Sequence, residues 1–152
     1  MRNASPRFFV DTNVLAYAYD ITDHVRRERA LTVLRRLQTS GNGAISTQVL
    51  GELYRTLTRP RGLGLAPDVA EASVLNHLQS WPVFDVKPLN VLEALRGVRE
   101  HQLSYYDALI WATARLNGIP FLLSEDGQDG RFVEGVRNLN PFNPGFDPQL
   151  LS

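Results

Sequence analysis

Cysteine is absent from the sequence, which excludes a disulfide framework, a thiolate metal site and a thiol nucleophile. Charge of one sign is missing too: 16 basic residues face 16 acidic ones, so no global field announces a polyanionic partner. Lysine is reduced to Lys87, and histidine to the scattered His24, His77 and His101. No apolar run approaches the roughly 20 residues that a membrane-spanning helix needs, and MRNASPRFF has no signal-peptide hydrophobic segment before the first strand. Together these absences set the expectation of a cytoplasmic protein without membrane contact. Several phosphate and nucleophile motifs are lacking as well. There is no G-x-x-x-x-G-K and no G-x-S-x-G, and GLGLAP at 62–67 fails the last position of G-x-G-x-x-G.

What is present is a chain of 152 residues, 43% of them apolar. That length can bury roughly two-thirds of its unfolded surface without disulfides, so a single domain over residues 1–152 is expected, with an irregular tail rich in Pro and Asn from about residue 141. Short β-like runs alternate with longer helical ones. FFV (8–10) reads as a strand, followed by a short helix near 13–19 and an Arg-rich helix over 24–39 that Gly41, Asn42 and Gly43 break. AIS (44–46) is a strand leading into TQVLGELYRTLT, whose Val49, Leu50, Leu53, Tyr54 and Leu57 keep helical spacing. A basic loop (59–67) precedes a helix that opens on Pro67 and runs to about 79. PVFDV (82–86) is a strand and 90–101 a helix. LSYYDALIWATARLNG is a helix with Ser104 as candidate N-cap and Gly118 as stop. PFLLS (120–124), the turn EDGQDG, a short turn of helix and a strand near 136–139 complete the pattern. The alternation predicts an α/β fold: three layers, with helices on both faces of a mostly parallel sheet of about five strands.

In open sheets of this kind ligands bind beyond the carboxyl ends of the strands. Asp11 stands at the end of the first strand, where a buried carboxylate must be offset by hydrogen bonds or a cation. Glu52 lies in the helix that starts at the end of the second. Asp107 opens a helix running antiparallel to the fourth strand, so it is carried to the same edge as Asp126. Each has a bland reading: Asp11 as a helix cap, Glu52 as the solvated partner of an Arg, Asp107 in a capping box with Ser104, and Asp126 and Asp129 as turn residues before glycine. The bland readings leave the convergence unexplained, because gathered like charges repel unless they share a cation. An all-oxygen donor set favours a hard ion, Mg²⁺ or Mn²⁺, of the kind that supports phosphodiester hydrolysis by activating water.

FFVDTNVLAYAYD (8–20), STQVLGELYRTLTR (46–59), LSYYDALIWATA (103–114) and LLSEDGQDG (122–130) together resemble the PIN-domain ribonucleases, especially the VapC-type toxins of bacterial toxin–antitoxin pairs. The resemblance covers nearly the whole chain and implies a PIN-like fold. It also implies an acidic quartet of Asp11, Glu52, Asp107 and Asp126 holding one or two Mg²⁺ or Mn²⁺ ions. Thr12 and Asn13 match the polar residues after the first Asp, and Ser46 and Ser124 match small hydroxyl positions. In the fourth motif Glu125, Asp126 and Asp129 are all acidic; Asp126 is preferred for its place two residues after Ser124, with Asp129 able to assist through water. Also implied are an RNA substrate cut to 5′-phosphate and 3′-hydroxyl ends, a homodimer and a small antitoxin covering the site.

The basic residues add a second expectation. Eight Arg and only two Glu lie between residues 26 and 61, so Arg59 and Arg61 are candidates for contact with an RNA backbone. Other readings lack parts. A haloacid-dehalogenase-type phosphatase needs an Asp where Asn13 stands, and a receiver-like domain built on Asp85 needs an acidic pair near Asp11 and a Lys that Lys87 does not supply. The competing class is a non-catalytic RNA-binding or protein-interaction module on the same fold, whose mark would be a missing acidic position. All four are present.

Overall fold

The computed structural model describes residues 5–152; the first four residues of the N-terminal stretch read above lie outside the described residues. Six strands form one sheet in the order β3-β2-β1-β4-β6-β5, parallel throughout except for the edge pair β5–β6. The strands are β1 (Phe8–Val10), β2 (Gly43–Ser46), β3 (Val83–Phe84), β4 (Phe121–Leu123), β5 (Phe132–Val133) and β6 (Val136–Leu139). The helices are α1 (Thr12–Tyr17), α2 (His24–Ser40), α3 (Thr47–Thr58), α4 (Pro67–Ser80), α5 (Pro88–His101) and α6 (Tyr105–Leu116). This is the mostly parallel α/β architecture expected.

The two central strands are continuous apolar runs because both sheet faces are covered. Phe8, Phe9 and Val10 are all buried, with Phe9 opposite Ala44 on one side and Leu122 on the other. On α3, Val49, Leu50, Leu53 and Leu57 are buried as their spacing predicts. α6 is buried at every position from Ala108 to Ala114, a pattern that fits a helix enclosed by neighbours on most sides. It packs closely on α5, where Gly97 lets the Trp111 ring approach the α5 backbone. No helix among the described residues is long and apolar enough to cross a membrane.

Three details differ from the sequence expectation. The fifth strand is joined by a sixth: where a turn of helix was expected after EDGQDG, Phe132 and Val133 form a hairpin with β6, turned by Glu134 and Gly135 in left-handed conformations (φ 45° and 87°). β3 keeps only two residues of PVFDV. The C-terminal segment ends in a 3₁₀ turn (Pro148–Leu151) that sets a fully buried Leu151 against α2.

β1 has β2 on one side and β4 on the other, and the chain leaves it in one direction to return much later in the other. That reversal opens a crevice beyond the carboxyl ends of β1 and β4.

Candidate functional site

Asp11 follows β1 directly, and its backbone N–H is tied to the Leu123 carbonyl of β4 at 3.0 Å. One carboxylate oxygen accepts from Thr12 N–H (2.7 Å), so Asp11 does cap α1; the other accepts from Ser124 Oγ (2.7 Å). Burial pushes the Asp11 carboxyl up to about 6; the Ser124 and Thr12 hydrogen bonds oppose this, while the charges of Asp126 and Glu52 add to it. Capping is therefore only part of its surroundings.

Asp107 reaches the crevice from the first turn of α6. The capping box that would give Asp107 a purely structural role is not made: Ser104 stands at the N-cap but forms no side-chain capping bond among the described residues. Asp126 comes from the turn after β4, where its N–H donates to Ser124 Oγ (3.0 Å) and its Oδ2 accepts from Asn13 Nδ2 (3.3 Å). Its pKa is raised by burial and next by the charge of Asp107. Carboxylate oxygens of Asp11, Asp107 and Asp126 all lie within 4.8 Å of one another.

Glu52 stands beside this triad and lines the same groove, but its carboxylate is outside the 4.8 Å group. It accepts from Thr12 Oγ1 (2.9 Å) and from Gln48 Nε2 (2.8 Å). Among the described residues no Arg or Lys pairs with any of the four carboxylates. Three converging carboxylates, one of them buried, with oxygen donors only and no guanidinium or ammonium to balance them, fit a hard divalent cation.

The remaining sequence candidates divide. Ser124 and Asn13 belong to the network: Asn13 bridges Ser124, Asp126 and the Glu125 N–H. Thr12 fixes Glu52. Ser46 instead caps α3, accepting from Val49 N–H (3.3 Å). Asp129 is drawn away to the C-terminal segment, accepting from Asn140 N–H (2.8 Å) and Asn143 Nδ2 (2.9 Å). Glu125 is neutralised by Arg26 (2.7 Å) and held by Tyr17 Oη (3.0 Å), which leaves Asp126 as the fourth-motif acid within the triad. Arg59 lines the groove that holds the carboxylates; Arg61 lies in the adjoining groove, which Arg59 also borders. Sequence reasoning missed Arg55 and Gln48, which line the acidic groove as well. The available signal was their spacing of three and four residues from Glu52 on one helix face.

The family model of the PIN domain matches residues 8–132. VapC20 of Mycobacterium tuberculosis, a sarcin-ricin loop cleaving toxin, has a similar structure: TM-score 0.65 and 29% identity over 86% of this chain and 98% of that one. A toxin–antitoxin complex from Klebsiella pneumoniae contains a chain of the same fold: TM-score 0.64 and 20% identity over 88% of this chain and 96% of that one. DNA-bound VapBC from Salmonella typhimurium gives TM-score 0.61 and 20% identity over 88% and 96%. No curated protein matches the chain in sequence.

Proposed function

The chain belongs to the PIN-domain family, and from that premise we propose that it is a metal-dependent endoribonuclease of the VapC toxin kind, held in check by a cognate antitoxin. The observation that carries the reading is the meeting of Asp11, Asp107 and Asp126 within 4.8 Å, brought from three distant segments and ion-paired with no Arg or Lys among the described residues. Similarity to a sarcin-ricin loop cleaving toxin supports it.

Asp11, Asp107 and Asp126 would hold Mg²⁺ or Mn²⁺, which when bound supplies an activated water near neutral pH and offsets charge on the phosphate being cut. The chain's own residues do the positioning. Ser124 Oγ and Thr12 N–H fix both oxygens of Asp11, so the buried carboxylate cannot turn away. Asn13 holds Asp126 and Ser124 in register. Glu52, fixed by Thr12 and Gln48, stands beside the three and would add a fourth carboxylate to the set that holds the ion. Arg55 and Arg59 border the groove and grip phosphates beside the cut, with Arg61 extending the basic track. Single-stranded or structured RNA would be cut to 5′-phosphate and 3′-hydroxyl ends. Crystallised toxin–antitoxin relatives support a protein antitoxin as partner, and we extend the proposal to a homodimer.

The decisive test is cleavage of RNA by the purified protein with Mg²⁺ or Mn²⁺. Asp11→Asn and Asp107→Asn should each lower the rate by at least about 100-fold while the protein stays folded, a loss on the scale of removing a group that acts in the transition state. Equal cleavage by parent and variants would overturn the assignment. A binding module that kept the fold predicts metal-independent RNA affinity that survives loss of Asp11.

A further inference from the structure

Two spaces meet at the three carboxylates. One is the groove bordered by Arg55 and Arg59. The other is a recess of about 80 Å³, which shares Asp11, Asp107 and Asp126 with the groove. Its walls are apolar: Leu103, Ile110, Trp111, Leu122, Val133 and Val136. We propose that this recess is a nucleobase subsite, taking the base of one nucleotide that flanks the bond to be cut. The proposal rests on the RNA-cleaving reading and adds to it a place where one base is held.

The chemistry of the two spaces is complementary to the two parts of a nucleotide. Guanidinium groups suit phosphate oxygens, and apolar walls suit a flat heteroaromatic ring but not a phosphate or a sugar. Single-stranded RNA offers such rings unstacked, with their hydrogen-bonding edges free. The polar lining fits an edge of this kind. Asn138 Nδ2 donates to the carbonyls of Asp126 and Gln128 (both 3.2 Å), and so holds the turn that carries Asp126. Its Oδ1 is buried and has no partner among the described residues. Gln128 and Arg131, both exposed, stand around the recess and offer donors to such an edge.

The recess also depends on the edge hairpin that the sequence pattern did not disclose. Val133 and Val136 come from β5 and β6, and Trp111 is fastened to that hairpin through Nε1–H to the Val133 carbonyl (3.1 Å). The wall opposite α6 is therefore held in place, so the recess is preformed.

The test uses a short single-stranded RNA cut by the full chain with Mn²⁺, remade with the base removed at one position at a time. Removal at one of the two nucleotides flanking the cut should slow the parent by about ten-fold or more, while the same removal changes Leu103→Trp by less than about two-fold, because a filled recess has no base to lose. Gln128→Ala and Arg131→Ala should alter which base is preferred at that same nucleotide. Base-indifferent cleavage, or an equal loss in the parent and all three variants, overturns the subsite alone; it is also the result expected if the recess receives a protein side chain. Absence of any RNA cleavage by the parent overturns the RNA-cleaving reading, and the subsite with it.

Discussion

Asp11 is held by two hydrogen bonds and is still an acid under strain of burial, because a carboxylate excluded from water loses more than those bonds return. Its pKa rises from 3.8 to about 6 in the folded protein. The sign of the consequence follows from proton binding. Between these values the folded state keeps a proton that the unfolded state has lost, so the contribution of Asp11 to stability of the metal-free protein is greatest at low pH and falls as pH rises through about 6. The loss is on the order of 3 kcal/mol. Asp126 is shifted in the same direction but is exposed, and adds less. Calorimetric melting with chelator present should show the parent losing stability relative to Asp11→Asn between about pH 4 and pH 7, since the amide has no charge to bury. Parallel curves for the two proteins would remove burial of this carboxylate as the dominant cost.

Helix surfaces show how the same residue type answers to different neighbours. Gly51 is exposed on α3 and a Cβ there would meet nothing within 4 Å, so Gly51→Ala should stabilise by about 0.5–1 kcal/mol through helix propensity alone. Gly97 on α5 is different: a Cβ would stand 2.8 Å from Cζ3 of Trp111, a buried ring fixed by its own hydrogen bond to Val133. Gly97→Ala should cost about 1–3 kcal/mol, exceeding the propensity gain, and urea denaturation of the two variants would give shifts of opposite sign. Legibility follows the same division between local and distant causes. The apolar spacing of α3 is a local signal, and its predicted bounds, 47–58, are those observed. β5 has two residues, too short for any periodicity, and its turn depends on Glu134 taking a left-handed conformation that glycine usually provides. Asp11, Asp107 and Asp126 could be brought together from strand ends and helix direction alone. That Glu125 is neutralised by Arg26, 99 residues earlier, and Asp129 is held by hydrogen bonds from Asn140 and Asn143, could not, because those pairings depend on how α2 and the C-terminal segment pack.

For the molecule as a whole, a net charge of zero conceals a separation of charges. Near the α5 C-terminus Arg96 and Arg115 are enclosed by Glu93, Glu100 and Glu134, and His101 closes the network at 2.6 Å from Glu134. Acids there are matched by bases within the fold. In the crevice they are not, and a cation from solution would supply what the sequence withholds. An ion bound by the folded state alone raises stability by about 2.7 kcal/mol at 100 times its dissociation constant, which for a domain of this size is a rise in melting temperature of about 5–10 °C. Mn²⁺ or Mg²⁺ should produce that rise in the parent, and Asp107→Asn should lose most of it. Glu125→Gln is the informative control. It breaks a 2.7 Å ion pair with Arg26 and lowers the starting stability, yet it should keep the metal-dependent increment, because Glu125 is spent on Arg26 rather than on the crevice. An increment that vanished in Glu125→Gln and survived in Asp107→Asn would move the cation site away from the triad.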